Sequence, residues 1–227
     1  MNTKTVMKKN AASAWASGLA LALAGPAGAG DIAWGTATPV STEAGNASDV
    51  STTGTLVEAY NAANSGSEAP ESVTVNGVEF ITTQDLLGGD YRKALDLSAQ
   101  TNGGDEAYDT LLSTADFGAN EDTVPIVVGD GDGNASVTGP GLLSVGSRYE
   151  VQVWYVDDRN EHDARVQSVA SAEGAAEVEL NDQFVIGTFT ATETTQTLFF
   201  QTPAPKNFNN VHLTAYQIRL ISQEEPR

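Results

Sequence analysis

No cysteine occurs in the 227 residues. That excludes disulfides, thiolate nucleophiles and cysteine metal sites. Basic residues are also scarce: 11 Lys and Arg stand against 30 Asp and Glu, for a formal net charge of −19. Lys4, Lys8 and Lys9 lie at the extreme N-terminus, so the rest of the chain is more acidic still. Such a surface repels nucleic acid and anionic lipid, and both are excluded as partners. There are two histidines, His162 and His212, too far apart in sequence to fix a zinc geometry. Hydrolase signatures are missing too. The chain has no Gly-x-Ser-x-Gly and no His-Glu-x-x-His. Gly129 to Gly133 is lined with acids, so no glycine loop cradles phosphate. Carboxylate pairs abound, but a chain this acidic supplies them by chance, and spacing nominates no glycosidase dyad.

Long apolar runs are missing except for one. Ala11 to Leu23 is uncharged, follows the three lysines, is broken by Pro26 and ends at a small-x-small site, Ala27-Gly28-Ala29. That order describes a secretory signal peptide over 1–29, cleaved after Ala29. A membrane anchor would need a longer run to cross about 30 Å of hydrocarbon. The expected mature chain, 30–227, is a single exported domain, extracellular or periplasmic. It is large enough to build a core without disulfides.

What the chain does have is alternation. Tyr149, Val151, Val153 and Tyr155 point one way, and Glu150, Gln152, Trp154 and Val156 the other. That pattern is a strand with one fully buried face and one partly buried face. Asn76-Gly77 between Ser72–Val75 and Val78–Ile81 predicts a hairpin with a type I′ turn. Further strands are expected at 56–60, 124–128, 165–169, 176–180, 184–190, 196–200 and 211–221. Short helical turns are expected at 84–87 and 106–113. Residues 82–121 read as a loop-rich excursion packed on one end of the domain. Turn signals recur about every ten residues, as in sandwiches and barrels.

Several segments occur together in order: Asp31-Ile-Ala-Trp34-Gly35, Ser48 to Leu56, Thr74 to Phe80, Leu143-x-x-Gly146-x-x-Tyr149, Val153-Trp154 with Asp158-Arg159, Gly187 to Ala191, and Tyr216-Gln-Ile-Arg219. They resemble a group of uncharacterised secreted bacterial proteins that look like jelly-roll domains of the galactose-binding or carbohydrate-binding-module type. The resemblance covers most of the mature chain and carries over no catalytic residue. It implies an all-β jelly-roll sandwich of two antiparallel sheets with long loops.

Three places carry candidate chemistry. Asp130-Gly-Asp132-Gly-Asn134 sets three oxygen side chains at alternate positions in a glycine loop, a spacing that suits calcium. It resembles the start of an EF-hand loop, but Gly141 stands where the bidentate Glu belongs, so an EF-hand is excluded. The other reading is a solvated acidic turn. Asp157 and Asp158 open the densest polar cluster, 157–163, a second metal candidate whose commoner explanation is a charged strand cap. Trp154 is the candidate ligand contact, with Gln152 and Glu150 beside it. An aromatic platform flanked by an amide and a carboxylate suits a sugar, whereas a Trp under a loop is simply core.

The leading expectation is a secreted, non-catalytic glycan-binding or adhesion module, stabilised by calcium, with polysaccharide or surface glycan as partner. Two alternatives stay open. One is a structural protein of the cell surface or extracellular matrix, self-assembling through an exposed strand edge. The other is a carboxylate-dependent polysaccharide-active enzyme.

Overall fold

The computed structural model describes residues 30–40, 46–62, 70–83, 86–87, 105–117, 123–131, 141–156, 166–202 and 211–223. The expected leader, 1–29, lies outside them.

The early strands are Ala33–Trp34 (β1), Thr38–Pro39 (β2), Thr55–Ala62 (β3), Ser72–Val75 (β4) and Val78–Thr83 (β5). A helix, Glu106–Leu112 (α1), precedes Asp116–Phe117 (β6), Thr123–Val128 (β7) and Arg148–Tyr155 (β8). Then come Gln167–Ala170 (β9), Glu177–Leu180 (β10), Gln183–Thr190 (β11), Gln196–Gln201 (β12), His212–Leu213 (β13) and Ala215–Ser222 (β14). The fold is an all-β sandwich. One sheet runs β1-β11-β8-β14-β3-β5-β4, with β2 also on β11; the facing sheet runs β10-β9-β12-β7. A small ribbon pairs β13 with β6.

The alternation in β8 sets the large sheet. Tyr149, Val151, Val153 and Tyr155 all face inward, between the sheets. They meet Val185 and Phe189 of β11, Tyr216 and Ile218 of β14, and Tyr60 and Ala62 of β3. The small sheet answers with Val124, Ile126 and Val128 of β7, Leu198 and Phe200 of β12, and Val169 of β9. Two rings stack across the β8–β11 pair: Tyr149 and Phe189 lie 5.6 Å apart, 25° from parallel.

The expected hairpin forms. Asn76 and Gly77 both take positive φ, 49° and 76°, and Val73 pairs with Phe80 and Val75 with Val78. One pairing departs from the antiparallel expectation: β3 and β5 run parallel, because the β4–β5 hairpin docks beside β3 by its second strand. Helix α1 also forms where expected. The Asp105 carboxylate caps it, accepting from the Ala107 and Tyr108 amides, and the Ser113 amide closes it on the Thr110 carbonyl.

Of the helical turn expected at 84–87, Leu86 and Leu87 are described; they form a buried bend, drawn into the core, with the Leu87 amide held by the Asp116 carboxylate. The described part of the 82–121 excursion packs α1 over the outer face of the large sheet, where Tyr108, Leu111 and Leu112 cover Val73, Val75 and Phe80.

Candidate functional site

The outer face of β8 was the expected ligand face, and the structure buries it in two different ways. At its C-terminal half lies Trp154, with no exposed surface. The hydrophobic stripe of α1 sits on it, since the helix must bury Tyr108, Leu111 and Leu112 somewhere. The Trp154 ring meets Phe80 edge-on at 5.7 Å and Phe184 at 6.2 Å. Its Nε1–H donates to the Tyr108 hydroxyl (3.1 Å), which donates to Asp49 Oδ2 (3.2 Å). Burial and the Asp49 carboxylate push the Tyr108 phenol upward, so it stays protonated and keeps both bonds. Trp154 is therefore a core residue and offers no platform to a sugar.

The N-terminal half carries Gln152 and Glu150, together with Gln217 and Arg219 from β14. Cross-strand register places them in two rows: Gln217 is opposite Gln152, and Arg219 opposite Glu150. All four are buried. Their cover is the segment 49–54, which enters from a 3-10 turn, Asn46–Asp49, and crosses the face as a strap. Gln152 Nε2 donates to the Asp49 carbonyl (2.6 Å), and Gln152 Oε1 accepts the Ser51 amide (3.0 Å). Gln217 Nε2 reaches both the Ser51 carbonyl (3.0 Å) and Gln152 Oε1 (2.7 Å). Arg219 Nε donates to the Thr53 carbonyl (2.6 Å) and Nη2 to that of Gly54 (3.2 Å). Burial lowers the pKa of Arg219, and the Glu150 carboxylate opposite works to raise it. Gln152 thus serves the chain's own backbone, in place of the hydroxyls of a ligand, and Glu150 is buried opposite the Arg219 guanidinium.

A third site lies at one end of the sandwich, on the inner face. Glu58 shares that face of β3 with Tyr60 and Ala62, and it is 6 % exposed. Its Oε1 accepts the Gly129 amide and the Tyr216 hydroxyl (2.9 Å), and its Oε2 accepts the Gly131 amide (3.1 Å). Gly129 and Gly131 both hold left-handed φ, 77° and 79°, which turns their N–H groups inward around one carboxylate. The loop between them presents Asp130, itself buried. Burial raises the pKa of Glu58 most, the three hydrogen bonds oppose this, and the Asp130 charge adds to the rise. Burial likewise raises the Tyr216 phenol, reinforced by the charge on Glu58.

Beside this loop the surface turns apolar. The Leu142 amide donates to the Gly129 carbonyl (2.7 Å), while the Leu142 side chain is 46 % exposed and that of Val145 61 %. Glycine at 131 gives Leu142 its place: a Cβ there would lie 3.1 Å from Leu142 Cδ1.

Of the sequence-expected metal ligands, Asp130 alone falls among the described residues; Asp132, Asn134, Asp157 and Asp158 lie outside them. Among the described residues no three His, Asp or Glu side chains gather into a metal cage. Glu58 and Tyr216 escaped sequence reading because Glu58 meets the Gly129 amide across 71 residues and the Tyr216 hydroxyl across 158. The available signal was a charge alternating with Tyr60 on the buried face of a strand.

No protein-family model, curated protein or solved structure matches this chain. The resemblance to galactose-binding and carbohydrate-binding-module domains therefore stands on its sequence segments alone.

Proposed function

We propose that this chain is a secreted, non-catalytic binding or adhesion module that contacts glycans through the loop end of its sandwich, with calcium held at the acidic loop 130–134. The observation that carries this reading is the Gly129–Gly131 loop clamped on the buried Glu58 carboxylate. A loop fixed from below by a buried charge is preorganised, and preorganisation removes part of the ordering cost of binding. Exposed Leu142 and Val145 add apolar contact near the loop, and the acidic residues of 130–134 would supply the hydrogen-bonding part of the mixture that sugar sites use. The buried Glu58 charge also favours a cation at Asp130, although both its oxygens already accept backbone amides, so its role is to hold the loop. The sheet face around Trp154 has no part in this reading.

The test is a glycan array with and without calcium, comparing wild type with the pair Leu142→Ser and Val145→Ser, alongside thermal melts of wild type and Asp130→Asn. Calcium at about 100 times its Kd stabilises by about 2.7 kcal/mol, a shift of several degrees in Tm. That shift is expected in the wild type and reduced in Asp130→Asn. Identical melts in calcium and in chelator would remove the cation, and glycan binding unaltered by the paired substitutions would remove the loop end.

A further inference from the structure

The strap 49–54 lies on the large sheet as a bound peptide would. Carbonyls 49, 51 and 53 all turn down onto the face, the period of two expected of an extended chain. Recognition is directed chiefly at the backbone: Asn76 Nδ2 adds a bond to the Val50 carbonyl (2.8 Å), and the side-chain contributions of the strap are Val50, at 1 % exposure, and Asp49, which accepts the Tyr108 hydroxyl. Thr52, Thr53 and Gly54 are exposed. A groove that reads backbone does not distinguish its own strap from an identical one.

We propose that this groove also takes the strap of a second copy, so that two copies exchange straps and pair. The joint is Gly54. Its φ is +67°, and a Cβ there would lie 2.1 Å from the Leu220 carbonyl oxygen. The chain reverses at that point, and Thr55 at once pairs with Leu220 in β3–β14. Docking on the chain's own face therefore depends on one glycine turn. With the turn opened, the strap leaves its own groove and meets the equivalent groove of a partner, the usual geometry of exchange at a short hinge. β1 and β2 move with it, since they are two-residue strands paired to β11 alone. The groove's polar side chains make an empty groove costly, and they hold an own or an exchanged strap equally. An empty groove would leave Gln152, Gln217 and Arg219 without the strap carbonyls, so an opened copy gains most by capturing another strap. Pairing would also double the loop ends offered to a multivalent surface.

The experiment refolds the full chain from denaturant over a range of concentrations and reads mass by light scattering. The wild type should form a dimer whose share rises with refolding concentration and which persists after dilution. Gly54→Ala should dimerise at lower concentration, and three glycines inserted after Gly54 should restore the monomer. Gln217→Leu, which removes the bonds to Ser51, Gln152 and Arg219, loosens the strap in monomer and dimer alike, so it should lower the Tm of both without changing the dimer's share. Monomer at every concentration in the wild type overturns the proposal, even if Gly54→Ala does not fold. A dimer unaffected by the glycine insertion, or one whose Tm Gln217→Leu leaves unchanged, overturns it as well, because pairing then uses another surface.

Discussion

The two faces of β8 are both buried, by opposite chemistry. The inner face meets another sheet with Tyr149, Val151, Val153 and Tyr155, side chains that need nothing beyond removal from water. The outer face of the same strand is half apolar, under α1, and half polar, under the strap. The polar half has to match donor to acceptor, because a buried group left without a partner costs far more than a satisfied one contributes. The same strand thus uses one face for non-directional stabilisation and the other to fix where a particular loop must lie.

That contrast can be broken first on its apolar side. Val151→Asp strands a charge among aliphatic side chains at a cost of at least about 5 kcal/mol. Since domains are stable by only about 5–15 kcal/mol, no cooperative melt is expected. A normal melting curve would mean that the register of β8 is wrong. On the polar side the expected loss is smaller. Arg219→Met removes the donors to Thr53 and Gly54 and leaves Glu150 buried without its counter-charge, for about 2 kcal/mol. Amide exchange should then accelerate in 49–54 while the β8 amides stay protected; uniform protection would show that the strap is held by other means. Trp154→Phe sharpens the apolar outer half. It deletes the bond to Tyr108 and some contact area, about 1.5 kcal/mol, and should loosen α1 without freeing the strap.

The smallest effect concerns Glu58, the one carboxylate described on the inner face of β3. Its pKa is raised above the ordinary 4.5, so the folded state binds its proton more tightly than the unfolded chain does. Stability from this group is present below 4.5 and is lost as pH rises through the folded value. Measured in chelator, the stability of the wild type relative to Glu58→Gln should fall from acid to neutral pH. A difference that grows with pH would mean that the three hydrogen bonds outweigh burial.

The strands were legible where side chains alternate, as in β8, β11 and β12, and where Asn76-Gly77 specifies a turn. Alternation reports what a side chain is, however, and its surroundings are set elsewhere. Glu150 and Gln152 read as part of a partly buried face, yet Gln152 is fully buried on backbone groups of 49–54, a stretch of mostly Ser, Thr and Gly with no periodic signal, and Glu150 is buried opposite Arg219. Trp154 read as either platform or core, and α1 decides between them from across the chain. Asp130 was visible as an acid in a glycine loop, whereas Glu58 was hidden because hydrogen bonds to backbone amides leave no mark on the sequence around Gly129.

The pairing of β3 with β14 has a consequence in time. Tyr60 lies beside Tyr216, and Glu58 bonds to a hydroxyl 158 residues away. The first long strand of the fold therefore has β5 close by on one side but finds its other neighbour only in the last strand. Until β14 is in place, β8 and β3 each present a bare side where the middle of the sheet should be, and the sandwich has no centre to close on. Loop closure over such separations is slow. The chain should remain open through most of its synthesis and assemble late, in one concerted step.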